Sequence, residues 1–180
     1  MGTVAVRRLG LDDVCLVGSI DRSEHVEIEY RIVGGELHER VVSVDVPPWD
    51  PEGDGPHSVA DKVGMCRDLV GNGAVLLGAF DGEQMLGLAV VDPSFEPRMG
   101  WLAFLHVTAP ARRRGAATAL WEAGAGLARA SGARALYVSA TPTGSAVGFY
   151  LRQGCRLADP VHPDLWAKEP DDIHLVCPLD

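Results

Sequence analysis

The chain has 180 residues, of which 47% are hydrophobic and 23% charged, and these values predict one globular domain and argue against a disordered chain. Its 16 basic and 25 acidic residues give a formal net charge of −9, which argues against a protein that binds nucleic acid through overall basicity. No run of about 18 apolar residues could span a membrane, and the N-terminus lacks the apolar segment of a secretory signal, so we expect a cytoplasmic protein without a membrane partner.

The N-terminal part predicts a strand, a short helix and a β-hairpin. Apolar and polar residues alternate over residues 4–9, which predicts a strand. Leu11 then opens a short helix with an acidic first turn. Alternation resumes on both sides of Gly34-Gly35, between residues 24 and 46, and this pattern is typical of two strands joined by a tight turn.

A loop and a helix follow the hairpin. Residues 47–56 contain too many prolines and glycines for a helix or a central strand, so they predict a loop. Ser58 is a good N-cap for a helix that ends at Gly71. We predict that the hairpin and the loop form an insertion at about residues 24–56, within a single domain that spans residues 1–180.

The rest of the chain alternates strands and helices. The predicted strands are residues 74–80, 85–91, 101–108, 135–140 and 173–177, and the predicted helices are residues 110–131 and 145–152. We therefore expect a mixed α/β domain.

The cysteines and histidines predict neither a disulfide framework nor a metal site. Cys15, Cys66, Cys155 and Cys177 are widely scattered without a CxxC pair, so we expect free, buried thiols. The 6 histidines show no metal-ligand spacing, so we expect no metal.

The junction between the strand at residues 101–108 and the following helix predicts an anion site. A helix N-terminus carries unpaired N–H groups and partial positive charge, and small side chains there let a phosphate approach the backbone. A solvated basic helix start would show the same pattern. No GxxxxGK, GxGxxG or GxSxG motif occurs. The residues of the predicted pyrophosphate site are Arg112, Arg113, Arg114, Gly115, Ala116, Ala117 and Thr118.

Two motifs in this region resemble the GNAT superfamily of acyl-CoA-dependent N-acyltransferases. Residues 112–117 match the family pattern Arg/Gln-x-x-Gly-x-Gly/Ala, and Leu105-His106-Val107 matches the strand ending that precedes it. Residues 146–154 resemble the family's A-x-x-F-Y-x-x-x-G, after a strand as expected. The resemblance covers roughly residues 99–155. It departs at Thr143, where the family has an Asn that contacts the cofactor arm, and at Cys155, where it has an aromatic residue.

The resemblance implies a mostly antiparallel central sheet, flanked by helices, in which two central strands splay apart and admit acetyl-CoA. The N–H of Val107 would then polarise the thioester carbonyl, and Tyr150 would protonate the leaving thiolate. The residues implied for the arm of the cofactor are Leu105, His106, Val107, Thr143, Ala146, Phe149 and Tyr150.

The general base has no obvious candidate. The positions that the family often uses fall on Met99, Trp101 and Ala103, none of which accepts a proton. His106 titrates near neutral pH, but strand alternation turns it away from Leu105 and Val107. Glu24, in an acidic loop, or a chain of water molecules could also take the proton. Trp101 is then interpreted as a wall of the substrate pocket.

The acidic chain favours a cationic acceptor. Within the insertion, Glu24 offers a carboxylate and Trp49 an aromatic surface for such a substrate. The two ends of the insertion loosely resemble the antibiotic-acetylating branch of the family. We thus expect transfer of an acetyl group from acetyl-CoA to a primary amine of a small molecule or peptide, by direct attack in a ternary complex. A non-catalytic acyl-CoA-binding module and an acidic protein-interaction domain are competing interpretations, and a homodimer stays open.

Overall fold

A computed structural model describes residues 3–179 of the chain. The strands are β1 (Ala5–Leu9), β2 (Glu24–Val33), β3 (Glu36–Val46), β4 (Val75–Asp81), β5 (Gln84–Glu96), β6 (Met99–Val107), β7 (Ala135–Ala140), β8 (Arg156–Leu157) and β9 (Ile173–Pro178). The α-helices are α1 (Val59–Gly71), α2 (Ala116–Ala130), α3 (Gly144–Arg152) and α4 (Pro163–Lys168), and 3₁₀-helices cover Leu11–Ser19 and Ala109–Ala111.

Seven strands form one sheet in the order β1-β4-β5-β6-β7-β9-β8. All neighbours are antiparallel except β6 and β7, which are parallel because α2 connects them as a crossover. Helices cover the sheet, and buried side chains form a cluster on each side of it. The predicted fold class, a mixed and mostly antiparallel sheet flanked by helices, is confirmed.

The two central strands separate after a short paired stretch. β6 and β7 pair only from Met99, opposite Ala135, to Leu102, opposite Val138. Beyond this point β6 continues through Val107 and stays paired with β5, whereas β7 pairs on its other side with β9. The result is a gap between residues 103–107 of β6 and residues 139–140 of β7, which we call the wedge.

The helix α2 packs closely against the sheet. Its buried face contains Leu120, Trp121 and Ala128, as the apolar periodicity predicts. Gly124 lies on the same face, and a Cβ there would come within 2.9 Å of the Val91 side chain. The missing side chain therefore lets α2 pack closely against β5.

The predicted hairpin is confirmed as a separate two-stranded sheet of β2 and β3, with a turn at Gly34-Gly35. Val26 and Tyr30 are buried, on one face of β2. The Tyr30 N–H donates to the carbonyl of Pro142 over 2.8 Å. The hairpin therefore docks beside the start of α3.

The predicted helix at residues 110–131 starts later than expected. A 3₁₀ turn covers Ala109–Ala111, and α2 begins only at Ala116. Arg113 and Gly115 have φ angles of 62° and 87°, a left-handed conformation that interrupts a right-handed helix. The α4 helix and the short β8 strand were not predicted, because neither is long enough to show periodicity.

The expectation of free, buried cysteines is wrong for three of the four residues. Cys155 and Cys177 form a disulfide, because pairing of β8 with β9 brings these distant positions together. Cys15 is free but exposed. Only Cys66 is free and buried, and burial raises the pKa of its thiol to about 12.

No helix within residues 3–179 is long and apolar enough to cross a membrane. The longest, α2, has 15 residues, which span about 22 Å against roughly 30 Å of bilayer hydrocarbon. In the same part of the chain, no group of three or more His, Cys, Asp or Glu residues could hold a metal ion.

Candidate functional site

The β6 backbone presents free polar groups to the wedge. The N–H of Thr108 donates to the carbonyl of Leu86 over 2.9 Å, so this residue bonds toward β5. Bonding direction alternates along an antiparallel strand, so His106 also bonds toward β5, whereas the N–H and C=O of Leu105 and Val107 point into the wedge. An extended ligand chain lying there would find a ladder of hydrogen-bond partners, as the sequence predicts for Leu105 and Val107.

The start of α2 offers a cluster of free N–H groups. No carbonyl or side chain within residues 3–179 accepts a hydrogen bond from the N–H groups of residues 113–118. The left-handed residues Arg113 and Gly115 curl the backbone just before the helix, and Gly115 has open space around its Cα. Successive free N–H groups at a helix N-terminus suit a bound phosphate.

The three arginines of this loop make different contacts, which their adjacent positions in the sequence do not reveal. The Arg112 guanidinium donates to the carbonyls of Ser23, over 2.8 Å, and Arg22, over 3.0 Å. Arg114 forms an ion pair with Asp81. Arg113 is exposed and has no hydrogen bond or ion pair with any residue in 3–179. Arg113 is therefore the side chain that is available to an anion.

The chain before and within β2 crosses the mouth of the wedge. The Asp21 N–H donates to the Thr108 hydroxyl over 3.1 Å, and its carbonyl accepts from the Ala109 N–H over 2.8 Å. Nine residues later, Tyr30 bonds to Pro142 at the start of α3. Residues 21–30 thus run from the end of β6 to the start of α3, across the gap between the two splayed strands.

Glu24 lies on this crossing segment. Strand alternation places it on the same face of β2 as Val26 and Tyr30. Its carboxylate has no hydrogen bond or ion pair with the described residues 3–179. A depression of about 320 Å³ is lined by Ser23, Glu24, His25, Asp45 and Val46. A negative charge that no described residue neutralises, at the edge of an open depression, suits a cationic ligand.

Tyr150 is buried between α2 and the start of β9. Its ring contacts Trp121, with centroids 5.9 Å apart, and Phe149 at 5.2 Å. Its hydroxyl has no hydrogen-bond partner within residues 3–179. Burial, and then the negative charge of Asp172, raise the pKa of Tyr150 above its ordinary value. The hydroxyl therefore keeps its proton at neutral pH and is able to donate it.

The other predicted residues of α3 have structural contacts. The Thr143 hydroxyl is the N-cap of α3, accepts from the Ala146 N–H over 3.3 Å and lies 3.1 Å from the Ser145 hydroxyl. Phe149 packs edge-on against Trp121 at 6.4 Å. The capping bond therefore occupies the Thr143 hydroxyl, which is the group that would take the place of the family's asparagine in contacting the cofactor arm.

The structure turns His106 away from the wedge, as strand alternation predicts. Its ring lies against Trp49, with centroids 5.0 Å apart, and Phe104 at 4.7 Å. Burial, and then the nearby positive charges of Arg22, Arg112 and Lys62, lower the pKa of His106 to about 4. The imidazole is therefore neutral at pH 7 and packs against these two rings.

Neither predicted tryptophan is an open pocket wall. Trp49 is only 4% exposed and belongs to the core beneath α1, so it has little surface to offer a substrate. Trp101 lies in the paired stretch of β6, opposite Tyr137 and against the Phe95 ring, and thus outside the wedge. The sequence shows that both residues are aromatic, but it does not show which elements pack over them.

Asp172 is a polar residue that the sequence analysis did not single out. It immediately precedes β9 and is partly buried. Burial, and then the charges of Glu169 and Asp171, raise the pKa of its carboxyl to about 7, against the opposing effect of Lys62. In the sequence it stands in an acidic run beside Asp171, a pattern typical of a solvated turn.

The comparisons with known proteins agree with this geometry. The model of the acetyltransferase (GNAT) family matches residues 41–155. Among solved structures, nourseothricin acetyltransferase is similar at 18% identity and a TM-score of 0.74, over 98% of this chain and 99% of that one. A putative streptothricin acetyltransferase from Bacillus anthracis in complex with acetyl coenzyme A has 16% identity, a TM-score of 0.71 and 99% coverage of both chains. PaiA N-acetyltransferase from Thermoplasma acidophilum, in complex with coenzyme A, has 10% identity and a TM-score of 0.63, over 98% of this chain and 99% of that one. No curated protein sequence matches the chain.

Proposed function

The chain belongs to the GNAT acetyltransferase family, and from this we propose that it transfers an acetyl group from acetyl-CoA to a primary amine by direct attack in a ternary complex. One observation carries the proposal. The wedge is lined by the free backbone groups of Leu105 and Val107 and leads to the free N–H groups of residues 113–118. An elongated ligand with an anionic end fits that combination.

Acetyl-CoA would bind along this path. The N–H groups of residues 113–118 and the guanidinium of Arg113 would hold the pyrophosphate. Leu105 and Val107 would bond the pantetheine arm, with Ala146 and Phe149 on the α3 side. The Val107 N–H would donate to the thioester carbonyl oxygen, which gains negative charge during attack.

The transfer needs one bond formed and one broken. The amine nitrogen attacks the thioester carbon, the new N–C bond forms, and the C–S bond breaks as the tetrahedral intermediate collapses. Tyr150 donates its hydroxyl proton to the departing CoA sulfur, since this hydroxyl is protonated at neutral pH.

We propose a cationic small-molecule amine as the acceptor, of the kind that streptothricin-acetylating enzymes use. The nourseothricin and streptothricin acetyltransferases align over nearly the whole chain. The net charge of −9 attracts a cation, and Glu24 supplies a carboxylate without a partner within residues 3–179. The hairpin that crosses the wedge narrows its mouth, which favours a compact substrate over a protein.

The arginines allow a matched test of the cofactor site. Arg113→Gln should raise the Kd of CoA roughly tenfold or more, the scale of a lost charge-assisted hydrogen bond. Arg114→Gln, which removes the ion pair with Asp81, should leave that Kd unchanged. Calorimetric titration with CoA measures both. Equal affinity of the Arg113 variant and the wild type would contradict the assignment. Arg112 is unsuitable for this comparison because its guanidinium holds the loop at residues 22–23.

A second pair of variants tests the acceptor site. Glu24→Gln should raise the KM of a cationic amine about two- to fivefold, since it removes the proposed counter-charge at an open site, while the KM of acetyl-CoA stays constant. Glu27→Gln, on the opposite and exposed face of β2, is the control and should leave both constants unchanged. Steady-state kinetics of both variants and the wild type measure the two KM values. An unaltered amine KM in the Glu24 variant would assign the hairpin a structural role only.

A non-catalytic acyl-CoA-binding module is the second candidate. The observation that favours it is the apolar character of Met99, Trp101 and Ala103, where the family often has a base. Calorimetry with CoA, combined with thiol release from acetyl-CoA in the presence of a panel of amines, distinguishes the functions. CoA binding with thiol release supports the enzyme, and CoA binding without it supports the module. Absence of CoA binding would leave the acidic interaction domain.

A further inference from the structure

The loop before β9 brings a carboxyl group to the wedge. The first residue of β9, Ile173, pairs with Ala140, the last residue of β7. Ala140 lies beyond the stretch in which β7 pairs with β6, which ends at Val138. Asp172 precedes Ile173 and therefore lies at the splayed end of the sheet, on the β7 side of the wedge.

The charge of Asp172 acts on Tyr150, and neither side chain has a polar partner among residues 3–179. The carboxylate is near enough for its charge to raise the pKa of the Tyr150 hydroxyl. Tyr150 is only 6% exposed, yet its hydroxyl forms no hydrogen bond with the described residues. The Asp172 carboxylate likewise has no hydrogen bond or ion pair with any of these residues. The Tyr150 hydroxyl, on a side chain that is 6% exposed, and the partly buried Asp172 carboxylate are therefore both available to a ligand.

A buried hydrogen-bond chain holds the loop that carries Asp172. The His162 N–H donates to the Tyr137 hydroxyl over 3.0 Å, and this hydroxyl donates to Nδ1 of His174 over 2.9 Å. His174 then donates from Nε2 to the Glu169 carbonyl over 3.0 Å. The same carbonyl accepts from the Asp172 N–H over 3.2 Å. The turn from Glu169 to Asp172 is thus fixed to the buried ring of His174.

We propose that Asp172 accepts the proton that the acceptor amine loses, and so acts as the general base of the transfer. The inference rests on the proposed acetyltransferase function and supplies the group that the apolar positions of β6 lack. It also supplies a proton acceptor for the same reaction in which Tyr150 is the proposed proton donor.

The charges around Asp172 suit a base that works near neutral pH. Burial is the main effect that raises its pKa to about 7, and Glu169 and Asp171 on the same loop add to it. Lys62, from α1, acts in the opposite direction, and Tyr150, from α3, is neutral. A base whose pKa lies close to the working pH is both available and strong enough to take a proton.

The protons balance over one turnover. The acceptor's ammonium group first releases a proton to solvent. As the neutral nitrogen then bonds to the acetyl carbon, one N–H proton passes to the Asp172 carboxylate. The C–S bond breaks and Tyr150 gives its proton to the sulfur, which yields the amide and the free CoA thiol. The proton on Asp172 then restores the Tyr150 hydroxyl, either directly or through water, and the site returns to its starting state.

Asp172→Asn tests the proposal against Asp171→Asn, its exposed neighbour. The Asp172 variant should lower kcat/KM by about 10²-fold or more. It should also abolish the acidic fall, the step in activity near pH 7 that adds to the gradual loss caused by protonation of the amine. Asp172→Glu should restore part of the rate. Asp171→Asn should keep the rate at pH 8 within about twofold and keep the acidic fall, moved to lower pH because the Asp171 charge no longer raises the pKa of Asp172. A pH profile of all four proteins, with an accepted amine, gives these results.

Thermal unfolding provides a readout without turnover. The pKa of Asp172 in the folded protein lies above the ordinary value of 3.8, so its charged form destabilises the fold increasingly as pH rises from about 4 to about 7. Asp172→Asn should therefore raise Tm at pH 8 and leave it unchanged at pH 4. A lower Tm at pH 8 would overturn the proposal, because the carboxylate would then be a structural partner.

The outcomes separate the inference from the proposed function. If the wild type releases no thiol with any amine, the acetyltransferase proposal fails and the base fails with it. If the wild type is active and Asp172→Asn keeps more than about half of kcat/KM, or keeps the acidic fall, the inference alone is overturned.

Discussion

Replacing Tyr150 with Phe is expected to lower kcat by about 10²–10⁴-fold, the usual effect of losing a general acid, while the Kd of CoA stays constant. The ring contacts with Trp121 and Phe149 do not involve the hydroxyl, so Phe preserves the packing and removes only the proton. Because burial raises the pKa of Tyr150, activity should also survive above the pH at which an ordinary tyrosine ionises. Rapid-mixing kinetics of thiol release, over a range of pH, measure both effects.

The control for this variant is Tyr30→Phe. Tyr30 is a second buried tyrosine, and its hydroxyl donates to Glu39 within the hairpin over 2.6 Å. Loss of that bond should cost about 1 kcal/mol of stability at most and leave kcat unchanged. If Tyr150→Phe behaves like Tyr30→Phe, then the thiolate leaves without assistance from Tyr150.

Replacing Trp49 with Ala is expected to reduce the free energy of unfolding by about 3–5 kcal/mol, the usual cost of truncating a buried aromatic side chain. The indole is 4% exposed and packs against Phe104 and His106. Its loss leaves a cavity between the loop at residues 47–57 and the sheet. Urea unfolding followed by circular dichroism measures the change.

Trp166→Ala is the matched control, because Trp166 is 51% exposed on α4. It should change the free energy of unfolding by no more than about 0.5 kcal/mol. If the Trp49 variant is as stable as this control, Trp49 does not contribute to the core and is again a candidate substrate contact. Any rise in KM in an unstable Trp49 variant would instead reflect the loss of packing.

Much of the fold follows from local signals in the chain. The Gly34-Gly35 turn between alternating residues determines the hairpin, and Ser58 caps α1 with its hydroxyl 3.0 Å from the Asp61 N–H. These features depend on backbone conformation and on contacts between near neighbours, so the residue types suffice to predict them. The anion loop before α2 belongs to the same class, since its small residues and left-handed positions are local properties.

Burial and pairing of single side chains are less predictable. The arginines at positions 112–114 are identical in the sequence, yet one binds a loop, one an acidic side chain and one nothing within residues 3–179. Trp49 is an aromatic residue of the kind that often lines a pocket, yet it is buried in the core. Such outcomes depend on which segment packs above each residue, and that segment is distant in the chain.

The sequence by itself therefore determined most of the elements, the family and the turn of small residues before α2, because each is encoded in periodicity or in a short motif. Only the tertiary structure decided how the central strands part after Leu102, which cysteines join, and that the loop of Asp172 lies beside the end of β7. The physical reason is the same in each case. Strand pairing and burial bring together residues that are separated along the chain, and no local pattern in the sequence records those contacts.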